Sequence, residues 1–328
     1  MRDGLLSVAK PVGVSSRDVV DRVSRAFRQK RSGHAGTLDP LAEGVVVVLC
    51  GLGTRLVTRV QETTKVYRAE FVLGCRSETD DICGAVRTAW DDSGEVVYPV
   101  VSGERTAIRE RVLSFQPPVA PDGFAWPDEA TVRAALAAFE GEIEQVPPVY
   151  SAVKIDGRRA YDLARKGKAV ELEPRVVRIE RATLLSYAPP RLEVEIECGS
   201  GTYVRAVGRD LGDRLGVGAV MSRLVRTRVG PFTLEEATPL DRIQSGGLGL
   251  TMLPLLDAVG SLPRYVCTAA ETTEIRHGRV IARPGFGDEA HADGVEFALV
   301  TEGSLLGLAR YDAVAHCLRP FLVLPREG

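Results

Sequence analysis

The chain has 328 residues, with 42 Lys+Arg against 44 Asp+Glu and a formal charge of −2. An apolar fraction of 45% beside 26% charged residues excludes a disordered or fibrous chain, and the length suits one large domain plus a small one. The near-zero balance excludes a uniformly basic nucleic-acid coat, although not a locally basic groove.

From the N-terminus, residues 5–8 (LLSV) read as a short strand ended by Lys10-Pro11-Val12-Gly13. Ser16 is placed to cap a helix carrying Val19, Val20, Val23 and Phe27, followed by a glycine-punctuated loop over 31–40. Residues 44–49 read as a buried strand, 54–60 as a helix, and 65–73 (KVYRAEFVL) as a half-exposed alternating strand. The stretch 91–127 has no stable period and reads as a Pro- and Gly-rich excursion. A helix at 128–139, a strand at 149–154 and an Arg/Lys-rich helix at 160–166 follow. Strands are expected at 176–187 and 191–198, a helix at 203–215 continuing through 219–225, and a short helix from 232. After a Gly-rich break at 245–249 come short strands, including 304–309, which place a small β-rich domain at 260–328 behind a large domain at 1–259. Irregular mixing of helices and strands argues for an α+β fold over a Rossmann or barrel architecture.

Six cysteines, at positions 50, 75, 83, 198, 267 and 317, make no CxxC zinc or redox motif and fit a reduced cytoplasmic protein. The longest apolar run, 45–50, is far short of a membrane span, and no stretch of signal-peptide length opens the chain. We therefore expect a cytoplasmic protein with no membrane association, no metal and no cofactor.

Three features could carry chemistry. In Gly33-His34-Ala35-Gly36-Thr37-Leu38-Asp39-Pro40, two glycines permit tight turns and close ligand approach, and Pro40 biases Asp39 toward an extended backbone. Such an Asp suits a nucleophile or electrostatic stabiliser, while spacing alone favours a plain capping turn with Asp39 as a cap and His34 at the surface. In Cys198-Gly199-Ser200-Gly201-Thr202-Tyr203-Val204-Arg205, Arg205 could grip a carboxylate bidentately, with an ordinary turn as the bland alternative. The Gly-Ser-Gly-Thr context and the lack of an acidic ribose partner at the right distance argue against a dinucleotide loop. Basic residues also gather at 1–60, at 154–168 and at 201–230, interleaved with Tyr67, Tyr150, Tyr161 and Tyr203. Solvated helix faces explain any one patch, whereas all three together suggest a polyanion held in one basic groove on an otherwise acidic surface.

At these residues the sequence resembles the TruB-type tRNA pseudouridine-55 synthases. The matching positions begin with Lys10-Pro11-x-Gly13-x-Ser15-Ser16 and Gly33-His34-x-Gly36-x-Leu38-Asp39-Pro40-x-Ala42-x-Gly44. They continue through Lys65-x-Tyr67, the segment from Gly74 to Asp81 and Gly84, and Gln145-x-Pro147-Pro148-x-Tyr150-Ser151-Ala152-Val153-Lys154-x-x-Gly157. Gly201-Thr202-Tyr203-Val204-Arg205 and Leu224-x-Arg226-Thr227-x-x-Gly230-x-Phe232 complete the set. Ala9, Ser77, Glu78 and Val225 depart from the family pattern, as does the excursion at about 92–127.

The resemblance implies a pseudouridine synthase catalytic domain with a mixed, largely antiparallel sheet and a PUA-like RNA-binding domain at 260–328. It implies isomerisation of uridine-55 in the T-arm loop of tRNA to pseudouridine, after the base is flipped into the pocket. Asp39 would be the nucleophile, at either the ribose C1′ or the base C6. Tyr67 would stack on the base and assist removal of the C5 proton, and Arg205 would pair with Asp39. Tyr203 and Leu224 would touch the base or sugar, His34 and Lys10 would contact RNA or shape the loop, and Lys154 would bind substrate. The expected protein is a monomer needing no obligate protein partner. Two other readings stand beside it: a guide-dependent rRNA pseudouridylase subunit, and a non-catalytic RNA-binding or chaperone protein on the same scaffold.

Overall fold

The computed structural model describes residues 3–90, 94–151, 154–155, 158–159, 172–243, 249–282 and 292–325. Two apolar runs seed the main sheet. Strand β1 (Gly4–Lys10) pairs antiparallel with β3 (Glu43–Cys50), and the unbroken valines of β3 are buried because both of its faces are covered. Between them lie helix α1 (Ser16–Phe27) and the short strand β2 (Ser32–His34), which pairs with β3 where a loop was expected. The cap of α1 is Ser15 instead of Ser16: Ser15 and Asp18 form a reciprocal capping box, which frees the Ser16 hydroxyl for another task. A 3₁₀ turn at Gly51–Leu56 and helix α2 (Val57–Glu62) lead into β4 (Lys65–Leu73), a central strand buried on both faces except at Arg68 and Glu70.

Strands β5 (Cys75–Ser77), β6 (Val86–Thr88) and β7 (Val96–Tyr98) form a separate three-stranded sheet, followed by helix α3 (Arg105–Ser114). The expected excursion thus contains a strand and a helix, anchored by the buried side chains of Ile108 and Phe115. Helix α4 (Glu129–Ala137), capped by Asp128, precedes β8 (Gly141–Gln145) and the small hairpin of β9 (Lys154–Ile155) and β10 (Arg158–Arg159). Strands β11 (Arg175–Ala188) and β12 (Arg191–Cys198) are joined by a tight turn, and helix α5 (Val204–Arg214) follows. The helix expected at 160–166 lies outside the described residues.

The continuation of α5 through 219–225 is corrected: β13 (Ala219–Val229) is a central strand. Gly216 and Gly218 take positive φ and end the helix, with the N–H groups of Val217 and Gly218 both donating to Gly212 O. Residues 232–233 form strand β14 (Phe232–Thr233) instead of a helix, and β15 (Thr238–Pro239) borders the sheet. The ten-stranded sheet runs β15-β1-β3-β13-β4-β12-β11-β8, with β14 on β13 and β2 on β3. It is mixed but largely antiparallel, only β1/β15 and β3/β13 being parallel.

The second, smaller sheet comprises β16 (Arg264–Val266), β17 (Ile281–Ala282), β18 (Glu296–Thr301), β19 (Ser304–Asp312) and β20 (Cys317–Val323), with helix α6 (Ala269–Arg276) beside it. The fold is therefore α+β with a β-rich C-terminal unit. Alternation along β3 divides the core: Val46, Val48 and Cys50 face α1, while Val45, Val47 and Leu49 pack in a cluster with Ala298, Val300 and Leu308 of the smaller sheet.

Candidate active site

Register across the main sheet aligns one row of side chains. Lys10 on β1 lies opposite Gly44 on β3, Gly44 beside Arg226 on β13, Arg226 opposite Tyr67 on β4, and Tyr67 opposite Ile196 on β12. Residues opposed in this way share a face, here the one that carries α1. Gly44 permits the close pairing: its φ is +118°, and a Cβ there would sit 2.2 Å from the Arg226 carbonyl oxygen.

This row holds the loop that presents Asp39. Arg226 is 1% exposed and donates from Nε to Val45 O (2.7 Å), from Nη1 to Thr37 O (3.3 Å) and from Nη2 to Gly36 O (3.2 Å). Lys10, also 1% exposed, donates from Nζ to Val14 O (2.7 Å), Pro11 O (3.1 Å) and Ala42 O. The Ser16 hydroxyl freed by the shifted cap accepts from Leu38 N (2.8 Å) and donates to Leu38 O (3.0 Å). Gly13 N donates to Pro40 O (2.7 Å) and Ala42 N to Asp39 O (3.0 Å). The loop backbone is thus pinned on both sides of Asp39. Burial pushes the Lys10 ammonium down to about 7, with Asp39 pulling the other way and Arg226 adding to the fall.

Arg205, in the first turn of α5, supplies the opposite charge. Its Nε stands 3.0 Å from Asp39 Oδ2, its Nη1 donates to Thr79 O (2.8 Å) and stands 3.6 Å from Asp81 Oδ2, and its Nη2 donates to Tyr150 O (3.0 Å). The anticipated bidentate grip is corrected: one nitrogen meets Asp39, because the others are held by carbonyls and Asp81. Burial works against the guanidinium charge, but Asp39, Asp81 and Asp80 outweigh it and hold Arg205 above its ordinary value. Asp81 Oδ1 accepts from Thr79 Oγ1 (2.7 Å) and Cys83 N (2.9 Å), yet burial still raises its carboxyl. Neighbouring Asp80, paired with Arg209 at 2.9 Å, is raised by burial to about 6.

Asp39 itself keeps 37% of its side chain exposed, so a held carboxylate still faces solvent. Tyr67 is buried, and burial lifts its phenol above the ordinary value against the pull of nearby Arg226. Tyr203 is partly exposed at the cap of α5, its backbone gripped by Gln145, which accepts from Tyr203 N (2.8 Å) and donates to Tyr203 O (3.2 Å). His34, partly exposed on β2, lies opposite Val48. Leu224, opposite Ala69, is nearly covered in the main core. Lys10 sits under the loop with its ammonium on backbone carbonyls. The Lys154 side chain lies outside the described residues.

Sequence reasoning did not select Arg226, Ser16, Gln145 or Asp81 as site residues. Arg226 falls just past the stretch read as helix, one of three arginines in β13, and only the pairing of β13 with β3 and β4 sets it apart from the others. Among the described residues no group of His, Cys, Asp and Glu is placed to hold a metal, and no helix is long and apolar enough to cross a membrane.

Comparison with known proteins gives the same picture from another direction. The TruB family pseudouridylate synthase N-terminal domain matches residues 24–102 and 120–204, and the tRNA pseudouridylate synthase B C-terminal domain matches 205–247. The tRNA pseudouridine synthase B of Symbiobacterium thermophilum is 40% identical over 283 residues, covering 84% of this chain and 82% of the relative. That of an Arthrobacter species is 38% identical over 318 residues, covering 94% and 92%. A chain of an H/ACA RNP bound to a substrate RNA containing 2′-deoxyuridine shares the fold, with a TM-score of 0.68 at 21% identity over 99% of this chain and 86% of that one. With two family models matched and relatives alike over most of their length, the chain belongs to the TruB family of pseudouridylate synthases.

Proposed function

We propose that the protein isomerises uridine-55 in the T-arm loop of tRNA to pseudouridine, acting alone, with Asp39 as nucleophile. The observation that carries this reading is a carboxylate whose backbone is pinned and whose charge is paired with Arg205 at 3.0 Å, yet which remains open to solvent. An ionised, oriented and reachable carboxylate is what attack on a ribose or a base requires. The relatives named tRNA pseudouridine synthase B support tRNA as the RNA class. The target base is flipped from its stack, at a cost of about a few kcal/mol. The N1–C1′ bond breaks, the captive uracil turns, C5 joins C1′, and the C5 proton leaves while N1 gains one. Tyr67, a buried phenol held protonated, suits stacking on the captive base better than taking that proton. Tyr203 and His34 line the open side of the loop in this reading, and the C-terminal unit contributes further RNA contact.

The test is product analysis of a naked T-arm stem-loop after incubation with purified protein and with Asp39→Asn. The expected result is pseudouridine at one loop uridine with the native protein and none with the variant, RNA binding being retained. Product from the variant would remove Asp39 from the nucleophile role. Silence of the native protein on naked RNA would favour the guide-dependent reading.

A further inference from the structure

Helix α3 (Arg105–Ser114) falls wholly within residues 103–119, the stretch left between the two matched parts of the family's N-terminal domain. It is nevertheless built against both walls of the Asp39 site. Toward one wall, Arg105 Nη2 stands 2.5 Å from Asp18 Oδ1, the carboxylate of the capping box beside Ser16, whose hydroxyl holds Leu38. The α3 backbone also presses on the turn that grips Pro40: a Cβ on Gly13 would sit 2.7 Å from Arg105 O. Toward the other wall, Arg111 donates from Nη1 to Ile82 O (2.7 Å) and from Nη2 to Pro99 O (2.8 Å), its guanidinium lying 5.1 Å over the Tyr98 ring. Val101 N donates to Cys83 O (2.8 Å) in the same junction. Ile82 adjoins Asp81, and Asp81 faces Arg205, the partner of Asp39.

We propose that α3 is a brace added to the family scaffold, and that Arg111 is a positioning residue which sets the Asp81–Arg205–Asp39 arrangement through the Ile82 carbonyl. The proposal rests on the functional reading above. A guanidinium spanning two carbonyls and stacked on a ring fixes the 80–83 turn at a defined distance from Arg205. Removing it leaves the RNA-binding surface in place and loosens the charge pair, so the loss belongs in turnover and not in binding. The coupling also requires Asp81: where Asp81 no longer carries a charge, the position of its turn matters less.

The test compares Arg111→Ala and Arg111→Lys with the native protein on T-arm RNA, alone and in an Asp81→Asn background. For Arg111→Ala we expect a kcat loss of about tenfold with KM within about twofold, and a loss below about threefold once Asp81 is Asn. Lysine can reach one carbonyl, and restores part of the rate. A kcat within about twofold of native, or the same factor lost in both backgrounds, overturns the brace. Should the alanine variant not fold, Arg111→Lys decides alone: about threefold lower kcat at unchanged KM supports the proposal, and native kcat overturns it. A native protein inactive on T-arm RNA overturns the functional reading itself and the brace with it.

Discussion

Arg205 and Arg226 are both buried arginines, but they use their donors differently. Arg226 donates to three backbone carbonyl oxygens and serves as a scaffold for the backbone at Gly36, Thr37 and Val45. Arg205 divides its donors between two carbonyls and two carboxylates, so its charge is compensated and its plane is fixed. A lysine at 205 keeps the charge but presents a point donor on a flexible stem, unable to span Thr79 O, Tyr150 O and Asp39 together. In the proposed reaction, Arg205→Lys is expected to lower kcat by about a hundredfold or more while the protein stays folded. Single-turnover kinetics beside a circular-dichroism melt checks this, and near-native turnover would show that the pair does not orient Asp39.

Helix α5 can deliver Arg205 only if it lies close against β4, and Gly208 makes that approach. A Cβ at 208 would sit 2.5 Å from the Cδ1 and Cε1 atoms of Phe71, closer than such contacts allow. Alanine is the better helix former by about 1 kcal/mol, so propensity and packing oppose each other here. The clash wins because Phe71 is wholly buried and cannot swing aside: Gly208→Ala is expected to destabilise by about 1–3 kcal/mol and to lower activity through displacement of Arg205. Phe71→Leu should relieve the overlap, so that the double variant is more stable than the sum of the singles by about 1 kcal/mol or more in urea titrations. Additive losses would place the fault elsewhere. The same elements show what the sequence could reveal. Helix α1 was legible from its 3.6 period, β11 and β12 from alternation, and β3 from an unbroken apolar run of strand length between Gly44 and Gly51. Strand β13 was not: AVMSRLVRTRV is apolar at its start, buried on both faces there, and adjoins a true helix, so neither period dominates. The Asp39 loop was legible as a motif, whereas its support on Arg226 depends on register between strands distant in the chain and that on Ser16 on the packing of α1, which no local pattern records.

Charge is the property that changes most between the chain and the folded molecule. The arginines of 201–230, counted in sequence as a cationic patch, largely have partners within the protein. Arg205 and Arg226 are buried, Arg209 pairs with Asp80 and Asp210, Arg223 with Glu43, Arg228 with Glu197, and Arg214 lies over the Phe139 ring. The side chains of the patch at 154–168 lie outside the described residues. The C-terminal junction consumes two more cations: Arg59 stands 2.8 Å from Glu296, and Arg55 donates to Val323 O. Within residues 1–60, Arg28, Lys30 and Arg31 are exposed just after α1, on the segment that runs into β2 and then into the Asp39 loop. Cations at a helix C-terminus also complement its dipole, worth about 0.3–1 kcal/mol, so their presence has a structural reason too. The two roles separate by salt. Each phosphate neutralised adds about 0.7–0.9 to the slope of log affinity against log salt, whereas helix support leaves that slope alone. If these residues line the path of the proposed RNA, replacing all three with alanine should flatten the slope by about 2, with a melting shift of only a few degrees. Arg223→Ala is the contrast: its charge already faces Glu43 at 2.8 Å, and the slope should move by less than about 0.5. Binding of a T-arm stem-loop, titrated at several salt concentrations, reads both. An unchanged slope in the triple variant would assign Arg28, Lys30 and Arg31 to the helix end and move the RNA path to the other basic segment.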